Sequence, residues 1–257
     1  MRERPRRDIE RALLASVCRA LGKNDAIVAG IDEVGRGSPA GPVGVGVALI
    51  DARTSDSFPA LLADSKQLTP RARVGLVEPV RRWVRASAVG YALPSVVDQW
   101  GIIQALRWAA RAALSQLAVA GFYPDAILLD GSHDWFSASR PEDGDIAQQF
   151  ELFCRLFRTD SFPGRQFGVP GGDMEHLLPA LPVMTVVRGD ATCAVVSAAS
   201  VLAKVARDEL MGDLARLYPD YGWDSNEGYA SPTHRQAIAD RGLTRWHRHS
   251  WHVSGAH

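Results

Sequence analysis

The sequence predicts an α/β fold in which one mixed sheet carries helices on both faces. Apolar, β-branched runs follow each other closely in the first part of the chain, with turn-forming residues between them. Farther along, runs of this kind alternate with longer helical patterns, an order that is typical of a sheet covered on both sides. With 257 residues, of which 46% are hydrophobic, the chain is long and apolar enough to bury such a core.

Five segments have the composition of buried strands, because each is apolar, lacks a helical period and is bounded by Gly, Pro or an acid. The first two are separated by a stretch dense in Gly and Pro, and we therefore expect them to form a hairpin. The five predicted strands are residues 26–32, 43–50, 88–93, 126–130 and 183–187.

Helix boundaries follow from capping residues and helix breakers. Ser95, with Asp98 three positions later, has the spacing of a capping box and predicts a helix after the third strand. A second long helix is expected over about residues 192–217, and a last short one from Ser231 to about Gly242.

Composition excludes several classes of protein. The 29 basic and 29 acidic side chains give a formal net charge of zero, which argues against histone-like tails and acidic solvating chains. The 3 cysteines (Cys18, Cys154 and Cys193) are odd in number and lack a C-x-x-C spacing, so neither a disulfide framework nor a thiolate zinc site is expected.

The sequence also contains no segment that predicts membrane insertion or export. No uncharged apolar run is long enough to span a bilayer. The basic amino terminus continues with Asp8, Glu10 and Arg11, where a signal peptide would be apolar. We therefore expect a cytoplasmic protein with a charged amino-terminal extension and no membrane contact.

Residues 132–182 differ from the rest of the chain. They contain 8 acids and 4 arginines, so their net charge is −4, which leaves +4 on the remainder of a chain whose total is zero. A mildly basic body is weak support for a polyanionic partner. Within this acidic segment, residues 146–157 have the pattern of an amphipathic helix that would dock on the body.

Acidic side chains stand at the ends of three predicted strands. Asp32 and Glu33 end the first strand, Asp130 ends the fourth and Asp190 follows the fifth. If these strands are neighbours, the carboxylates converge and raise each other's pKa unless cations neutralise them. Oxygen ligands without His or Cys nearby suit Mg²⁺ or Mn²⁺ rather than zinc. Two such ions, bridged by carboxylates, activate a water and stabilise the leaving oxygen in phosphodiester cleavage.

Each of these features also has a plainer interpretation. An aspartate after a strand commonly caps a turn, and for Asp130 alone this role fits the sequence at least as well as metal binding. Asp190 lies just ahead of a predicted helix and is in place to cap it. Gly35, Arg36 and Gly37 offer backbone amides to a sugar or a phosphate, but glycines beside an arginine also form ordinary hairpin turns.

These residues belong to a longer series of motifs. The run IDEVGRG at residues 31–37 is followed in order by DSKQL at 64–68, LDG at 129–131, RGD at 188–190, SAASVLAKVARD at 197–208, GY at 228–229 and HSW at 249–251. The series resembles the bacterial ribonuclease HII family over nearly all of residues 26–251, apart from the acidic segment.

The resemblance implies a ribonuclease H-like fold with a small C-terminal helical part. It implies an endoribonuclease that cleaves RNA in RNA/DNA hybrids and single ribonucleotides in duplex DNA, leaving a 3′-hydroxyl and a 5′-phosphate. It further implies Mg²⁺ or Mn²⁺ as cofactor, with two ions when substrate is bound. The implied catalytic residues and metal ligands are Asp32, Glu33, Asp130 and Asp190.

The same resemblance implies the substrate-binding residues. The family's Gly-Arg-Gly loop corresponds to Gly35, Arg36 and Gly37, and its ribose-sensing tyrosine to Tyr229. Because the 2′-hydroxyl distinguishes a ribonucleotide from a deoxyribonucleotide with the same base, its recognition needs donors and acceptors around it. Tyr229 has a hydroxyl and a ring face to offer.

Other basic side chains have less specific signals. Lys66, Lys204 and Arg207 are candidates for phosphate contact, although Lys204 and Asp208 lie four positions apart on a helix and the alternative is an ion pair between them. The pattern of arginines at residues 71–85 indicates a solvent-exposed face rather than a groove that binds nucleic acid. The histidines of residues 246–252 favour packing or phosphate contact over metal binding.

One feature departs from the family. Asp130 and Asp190 are separated by 60 residues, because the acidic segment lies between them, whereas the family joins these two strands by a much shorter connection. That segment either leaves the sheet as a surface excursion or covers the active-site face, where its charge would oppose DNA. We expect an extension over residues 1–25, a catalytic domain over 26–217 with the acidic insert at about 132–182, and a C-terminal helical segment and tail over 218–257, in a monomer.

Two other functions remain open from the sequence. A nucleic-acid-binding protein of the same fold without catalysis is the first, and the presence of all four acids argues against it. A junction-resolving or general DNA nuclease would need the same acids but neither the Gly35–Gly37 loop nor Tyr229.

Overall fold

The computed structural model describes residues 4–137, 166–167 and 181–252. In this part of the chain, six strands form one sheet in the order β5-β3-β2-β1-β4-β6. The strands are β1 (Val28–Val34), β2 (Val43–Ile50), β3 (Ala86–Ala92), β4 (Ala126–Asp130), β5 (Gln166–Phe167) and β6 (Val183–Val186). The helices are α1 (Asp8–Leu21), α2 (Pro70–Trp83), α3 (Pro94–Val119), α4 (Gly189–Thr192), α5 (Ala194–Leu217), α6 (Trp223–Asn226) and α7 (Pro232–Arg241), and 3₁₀ turns span Ser65–Gln67 and Pro219–Tyr221.

The five predicted strands form, and the sheet is mixed as expected. β1 and β2 make the predicted antiparallel hairpin, and β2 pairs antiparallel with β3. β4 pairs in parallel with both β1 and β6. The additional strand β5 lies in the acidic segment, where the sequence predicts no strand, and pairs in parallel with β3. The carboxyl ends of β1, β4 and β6 therefore lie at one end of the sheet.

Two apolar layers hold the helices against the sheet. On one face, α3 packs over side chains such as Ile31 and Tyr91. On the other face, α1, α2 and the first half of α5 pack over side chains such as Val28 and Ile50. Every residue of β2 is buried, which explains why its sequence is continuously apolar rather than alternating.

The predicted boundaries of α5 and α7 nearly coincide with the observed ones. Ser231 caps α7 as expected, because its side chain accepts a hydrogen bond from the His234 N–H. The capping box predicted at Ser95 is wrong. α3 begins at Pro94, one residue earlier, and Leu93 precedes it without a side-chain cap.

Asp98, the other half of that predicted capping box, fastens the C-terminal segment instead. Its carboxylate accepts hydrogen bonds from the backbone N–H groups of His249 and Ser250, each at 2.9 Å. The residues that follow α7 are therefore attached to the start of α3.

The C-terminal segment also pairs with the loop between β1 and β2. The Ala40 N–H donates to the Gly228 carbonyl at 3.2 Å, and the Gly41 N–H donates to the Trp246 carbonyl at 2.7 Å. These backbone bonds join two parts of the chain that are far apart in sequence.

Residues 1–25, for which the sequence predicts only a charged extension, contain the helix α1. This helix buries Glu10, Leu14 and Val17. The Glu10 carboxylate accepts a hydrogen bond from the Val195 N–H of α5 at 2.6 Å and another from Arg7 at 2.9 Å. These partners explain how an acid lies in the core, since a buried carboxylate without them would be costly.

Within the described ranges, no helix has the length and apolar character needed to cross a bilayer. Cys18 and Cys193 are free thiols. Cys154 and the predicted amphipathic helix at residues 146–157 lie outside the described residues, as does most of the acidic segment.

We expect replacement of Glu10 by alanine to lower the free energy of unfolding by about 3 kcal/mol. The change removes the buried partner of Arg7 and leaves the Val195 N–H without its acceptor. Urea denaturation measures the effect. Glu78→Ala is the control, because that exposed acid pairs with Arg81 on the surface of α2 and its loss should cost less than about 0.5 kcal/mol. Equal effects of the two changes would show that α1 does not depend on Glu10.

Candidate active site

Asp32 and Asp130 are brought side by side by the register of the sheet. Ile31 of β1 is paired with Leu129 of β4 in parallel, so the next residue of each strand is an aspartate at the same level. Asp32 is 7% exposed, and the Glu33 N–H donates to its carboxylate at 2.9 Å. The convergence expected for these two strand ends is therefore observed.

Asp190, which follows β6, lies beside Asp130 at the same end of the sheet. The chain leaves β6 through Arg188, whose φ of 58° is left-handed, and enters the short helix α4. The Asp190 N–H donates to Oδ1 of Asp130 at 3.2 Å. Asp190 is in the first turn of α4 rather than at its N-cap, so it does not serve as the cap that the alternative interpretation proposed.

Glu33 and Lys66 complete the group. The Glu33 carboxylate accepts a hydrogen bond from the Arg36 guanidinium at 3.2 Å. Nζ of Lys66 lies 3.4 Å from Oδ2 of Asp190. We call the four acids Asp32, Glu33, Asp130 and Asp190 the acidic cluster.

Burial dominates the electrostatics of the acidic cluster. It raises the pKa of Asp32 well above its ordinary value, and the charges of Asp130, Glu33 and Asp190 raise it further. Burial likewise raises the pKa values of Asp130 and Asp190, with added repulsion from neighbouring acids. Burial lowers the pKa of Lys66, but the attraction of Asp190 and Asp32 outweighs it, so that this pKa is raised overall. The cluster is thus an excess of negative charge withdrawn from water, which favours the approach of cations.

The donors present suit a hard divalent cation. The acidic cluster offers only carboxylate oxygens, the ligand type that Mg²⁺ and Mn²⁺ prefer. Among the residues that the structure describes, no group of three or more His, Cys, Asp or Glu side chains has the arrangement of a finished metal cage. The chemistry of the site therefore fits such an ion, while the side chains stand near one another without enclosing one.

Lys66 lies on a 3₁₀ turn that is held from several sides. Asp64 caps the turn by accepting a hydrogen bond from the Lys66 N–H at 2.8 Å. Ser200 of α5 donates to the Ser65 hydroxyl at 2.9 Å, and Arg73 donates to the Ser65 carbonyl at 3.0 Å. Arg73 is buried, so the solvated face predicted for the arginines of residues 71–85 does not include it.

The Gly35–Gly37 loop is held by a buried arginine of the C-terminal segment. Arg248 donates to the carbonyls of Gly35 and Arg36 at 2.6 and 2.7 Å. Its guanidinium lies 4.5 Å from the ring centroid of Trp251, and burial lowers its pKa to about 9. The sequence does not predict this role of Arg248, because nothing in its neighbourhood distinguishes it from the other basic residues of the tail.

Tyr229 lies close to a second buried arginine. Its ring, in a residue that is 42% exposed, has the Arg207 guanidinium 5.9 Å from its centroid. Arg207 is fully buried and donates to the carbonyls of Ala40, Pro42 and Glu227 at 2.9–3.1 Å. The expectation that Arg207 contacts phosphate is therefore wrong, because its donors are already bonded to the backbone.

Lys204 forms the ion pair that the sequence left as its alternative role. Its Nζ lies 2.6 Å from Oδ1 of Asp208 and also contacts the Glu227 carboxylate. Any phosphate contact of Lys204 would compete with these two acids, and it stays a prediction.

Comparison with known proteins places these residues in a family. The sequence profile of the Ribonuclease HII family matches residues 29–150 and 166–254 of this chain. The ribonuclease HII of Streptomyces avermitilis is 37% identical over 249 residues, which cover 97% of this chain and 84% of that protein. The ribonuclease HII of Paracoccus denitrificans is 36% identical over 235 residues, which cover 90% of this chain and 88% of that protein.

Solved structures show the same fold. The ribonuclease H2 of Pyrococcus horikoshii OT3 has a TM-score of 0.59 and 25% identity, covering 89% of this chain and 95% of that one. The RNase HII solved as a complex with PCNA from Archaeoglobus fulgidus has a TM-score of 0.57 and 22% identity, covering 88% and 96%. Bst-RNase HIII in complex with Mn²⁺ has a TM-score of 0.54 and 19% identity, covering 94% and 71%.

The fold expected from the resemblance is thus confirmed, and the similarities favour neither a catalytically inactive binding protein nor a junction nuclease. From the extent of the family match and the identity to its members, the chain belongs to the ribonuclease HII family and is a ribonuclease H enzyme.

Proposed function

We propose that this enzyme is a metal-dependent endoribonuclease that cleaves RNA in RNA/DNA hybrids and single ribonucleotides in duplex DNA, leaving 3′-hydroxyl and 5′-phosphate ends. The observation that carries the proposal is the meeting of Asp32, Asp130 and Asp190, from distant parts of the chain, in one desolvated group. The hybrid and the ribonucleotide-containing duplex are its substrates.

In this proposal the acidic cluster holds Mg²⁺ or Mn²⁺, with two ions when substrate is bound. Asp32, Glu33, Asp130 and Asp190 are the ligands. When bound, the ions supply an activated water and neutralise the charge that develops on the scissile phosphate. Their charge also offsets the repulsion among carboxylates whose pKa values burial has raised.

Lys66 is proposed to contact the scissile phosphate or its neighbour. Its side chain is 79% exposed although its Nζ lies 3.4 Å from the buried carboxylate of Asp190, so the exposed side chain has room to turn towards a phosphate. The capped turn around Ser65 restricts this movement to the side chain.

Recognition of ribose is assigned to Gly35, Arg36, Gly37 and Tyr229. The carbonyls of Gly35 and Arg36 accept hydrogen bonds from Arg248. These bonds fix the backbone of the loop before substrate binds. Such pre-organisation favours discrimination of a single hydroxyl, because little freedom is lost on binding. We assign Lys204 a secondary phosphate contact.

The oligomeric state, the location in the cell and the domain limits of the enzyme are part of the same proposal. We propose that it acts as a monomer in the cytoplasm. We also propose the domain limits given above, with the acidic insert at about residues 132–182 and with α1 of the amino-terminal extension packed on the catalytic domain.

Cleavage of a defined duplex tests the function. In Mg²⁺ or Mn²⁺, we expect the chain to cut a DNA duplex at one embedded ribonucleotide and to leave an all-DNA control intact. Asp32→Asn should lower the cleavage rate by at least roughly 100-fold, because loss of even an indirect metal partner costs 10- to 100-fold. Asp240→Asn is the control, since Asp240 is an exposed acid of α7.

The products separate this function from its alternatives. Cutting of the all-DNA duplex would support a general nuclease, and binding without cutting would support an inactive binding protein. Chelation by EDTA should abolish cleavage and added Mn²⁺ should restore it, and activity that survives chelation would contradict the metal-dependent mechanism.

The repulsion within the acidic cluster generates a second prediction. In metal-free buffer, Asp32→Asn should be more stable than the parent by about 1 kcal/mol, because it removes a buried charge that three other acids oppose. Thermal unfolding in EDTA measures this difference. Asp240→Asn should leave the melting temperature unchanged, and a destabilised Asp32→Asn would show that the charge of Asp32 supports the metal-free fold.

The loop generates a third prediction. Gly35 has a φ of 75°, and a Cβ at this position would collide with the Arg207 guanidinium, whereas a Cβ at Gly37 meets open space. Gly35→Ala should therefore lower the free energy of unfolding by about 2 kcal/mol or more, and Gly37→Ala by less than about 1 kcal/mol. Urea denaturation of both variants gives the comparison, and equal effects would argue against the observed loop geometry.

A further inference from the structure

Two buried histidines lie directly behind Tyr229. His234 of α7 and His247 of the C-terminal segment are 0% and 1% exposed, and their Nε2 atoms are 3.1 Å apart. Nδ1 of His234 lies 2.9 Å from the Tyr229 carbonyl. The imidazole pair therefore connects the C-terminal segment to the backbone of the residue assigned to ribose recognition.

The partners of His234 determine where its proton is. A carbonyl only accepts hydrogen bonds, so the contact with Tyr229 requires a hydrogen on Nδ1 of His234. The Trp223 indole N–H donates to Nε2 of His234 at 3.0 Å, which requires a lone pair on Nε2. His234 is therefore the neutral Nδ1–H tautomer.

The partners of His247 determine the opposite tautomer. The Thr244 backbone N–H donates to Nδ1 of His247 at 2.9 Å, so this nitrogen has no hydrogen. The hydrogen of the neutral ring is then on Nε2, from which it is donated to Nε2 of His234, whose single lone pair it shares with the Trp223 N–H. The two rings are complementary only in this combination.

An added proton would displace donors that already occupy the ring nitrogens. On Nε2 of His234 it would face the Trp223 N–H and the His247 N–H. On Nδ1 of His247 it would face the Thr244 backbone N–H, and the Thr244 hydroxyl, 3.0 Å away, would have to accept it. Burial agrees with this conclusion, since it lowers the pKa of His234 and, with the repulsion that two charged rings would exert on each other, lowers the pKa of His247 to about 3. The pair is neutral at physiological pH.

We propose that His234 and His247 are positioning residues that lock the Tyr229 backbone for contact with the ribose, through a neutral pair of fixed and opposite tautomers. The proposal rests on the proposed function. His234 acts by donating to the Tyr229 carbonyl, and His247 acts by keeping the other nitrogen of His234 engaged as an acceptor.

Two substitutions of His234 separate these contacts. The amide nitrogen of asparagine takes the place of Nδ1, so His234→Asn keeps a donor for the Tyr229 carbonyl. The amide oxygen of glutamine takes the place of Nε2, so His234→Gln keeps an acceptor for Trp223 and His247 but loses the donor. Both changes remove the ring, which makes each variant a control for the packing of the other. His252→Gln, at an exposed histidine, is the control for loss of a histidine as such.

The measured quantity is kcat/KM for a duplex with one embedded ribonucleotide, in the parent and in a Tyr229→Ala background. We expect His234→Gln to lower kcat/KM about five- to tenfold more than His234→Asn when Tyr229 is present. In the Tyr229→Ala background the difference between the two variants should disappear, because the pair then has no side chain to position. A merely structural role would give the same difference in both backgrounds and would overturn the proposal, as would equal losses in the two variants.

The tautomers are tested separately by long-range ¹H–¹⁵N correlation spectra of the full parent chain, which distinguish protonated from unprotonated ring nitrogens. We expect a protonated Nδ1 in His234 and a protonated Nε2 in His247, with no change between pH 6 and pH 8. Any other pattern overturns the proposal, whether or not the variants fold. A parent chain that cleaves none of the duplexes overturns the proposed function instead, and these spectra then decide the state of the pair by themselves.

Discussion

The withdrawal of Asp32, Asp130 and Asp190 from water at one end of the sheet is the constraint on which the rest of the site depends. Carboxylates held together in this way repel one another, so surrounding structure must keep them in place. The parallel register of β1 and β4 sets the distance between two of them. The helix α5 begins at Ala194, shortly after Asp190, and packs on the same face of the sheet over these strands.

A second set of contacts joins the two ends of the chain around the loop at Gly35–Gly37. Arg207 and Arg248 are both buried, and both direct their guanidinium donors to backbone carbonyls rather than to carboxylates. Arginine tolerates this environment because its intrinsic pKa is so high that it stays cationic even when burial lowers it. The recognition surface proposed for ribose thus combines segments that are nearly a whole chain length apart.

The sequence was most informative where burial imposes a simple pattern. β2 is buried along its whole length, so its apolar run predicts a strand with correct boundaries. The convergence of Asp32 and Asp130 is predicted on the condition that their strands are neighbours, and the parallel pairing of β1 with β4 meets that condition. The resemblance to a family supplied the roles of Tyr229 and of the loop, which a short glycine motif does not specify.

The parts that the sequence did not predict depend on contacts between distant residues. The charge-rich sequence of α1 predicts only an extension, because the burial of Glu10 depends on the Val195 N–H far along the chain. Arg73 is predicted to lie on a solvated face and nothing is predicted for Arg248, since no local pattern distinguishes a buried arginine from an exposed one. The prediction of a capping box between Ser95 and Asp98 is wrong because Asp98 accepts hydrogen bonds from the C-terminal backbone instead.

The docking of α1 on α5 has a consequence for synthesis of the chain. The Arg6 N–H donates to the Thr192 carbonyl at 2.8 Å, and the Arg6 carbonyl accepts from the Ala194 N–H at 3.1 Å, next to the contact between Glu10 and Val195. During synthesis, α1 is therefore complete long before α5, its packing partner, has been made. Until then the apolar face of α1 with Leu14 and Val17 has no native cover, so the docking of this helix belongs to the late steps of folding.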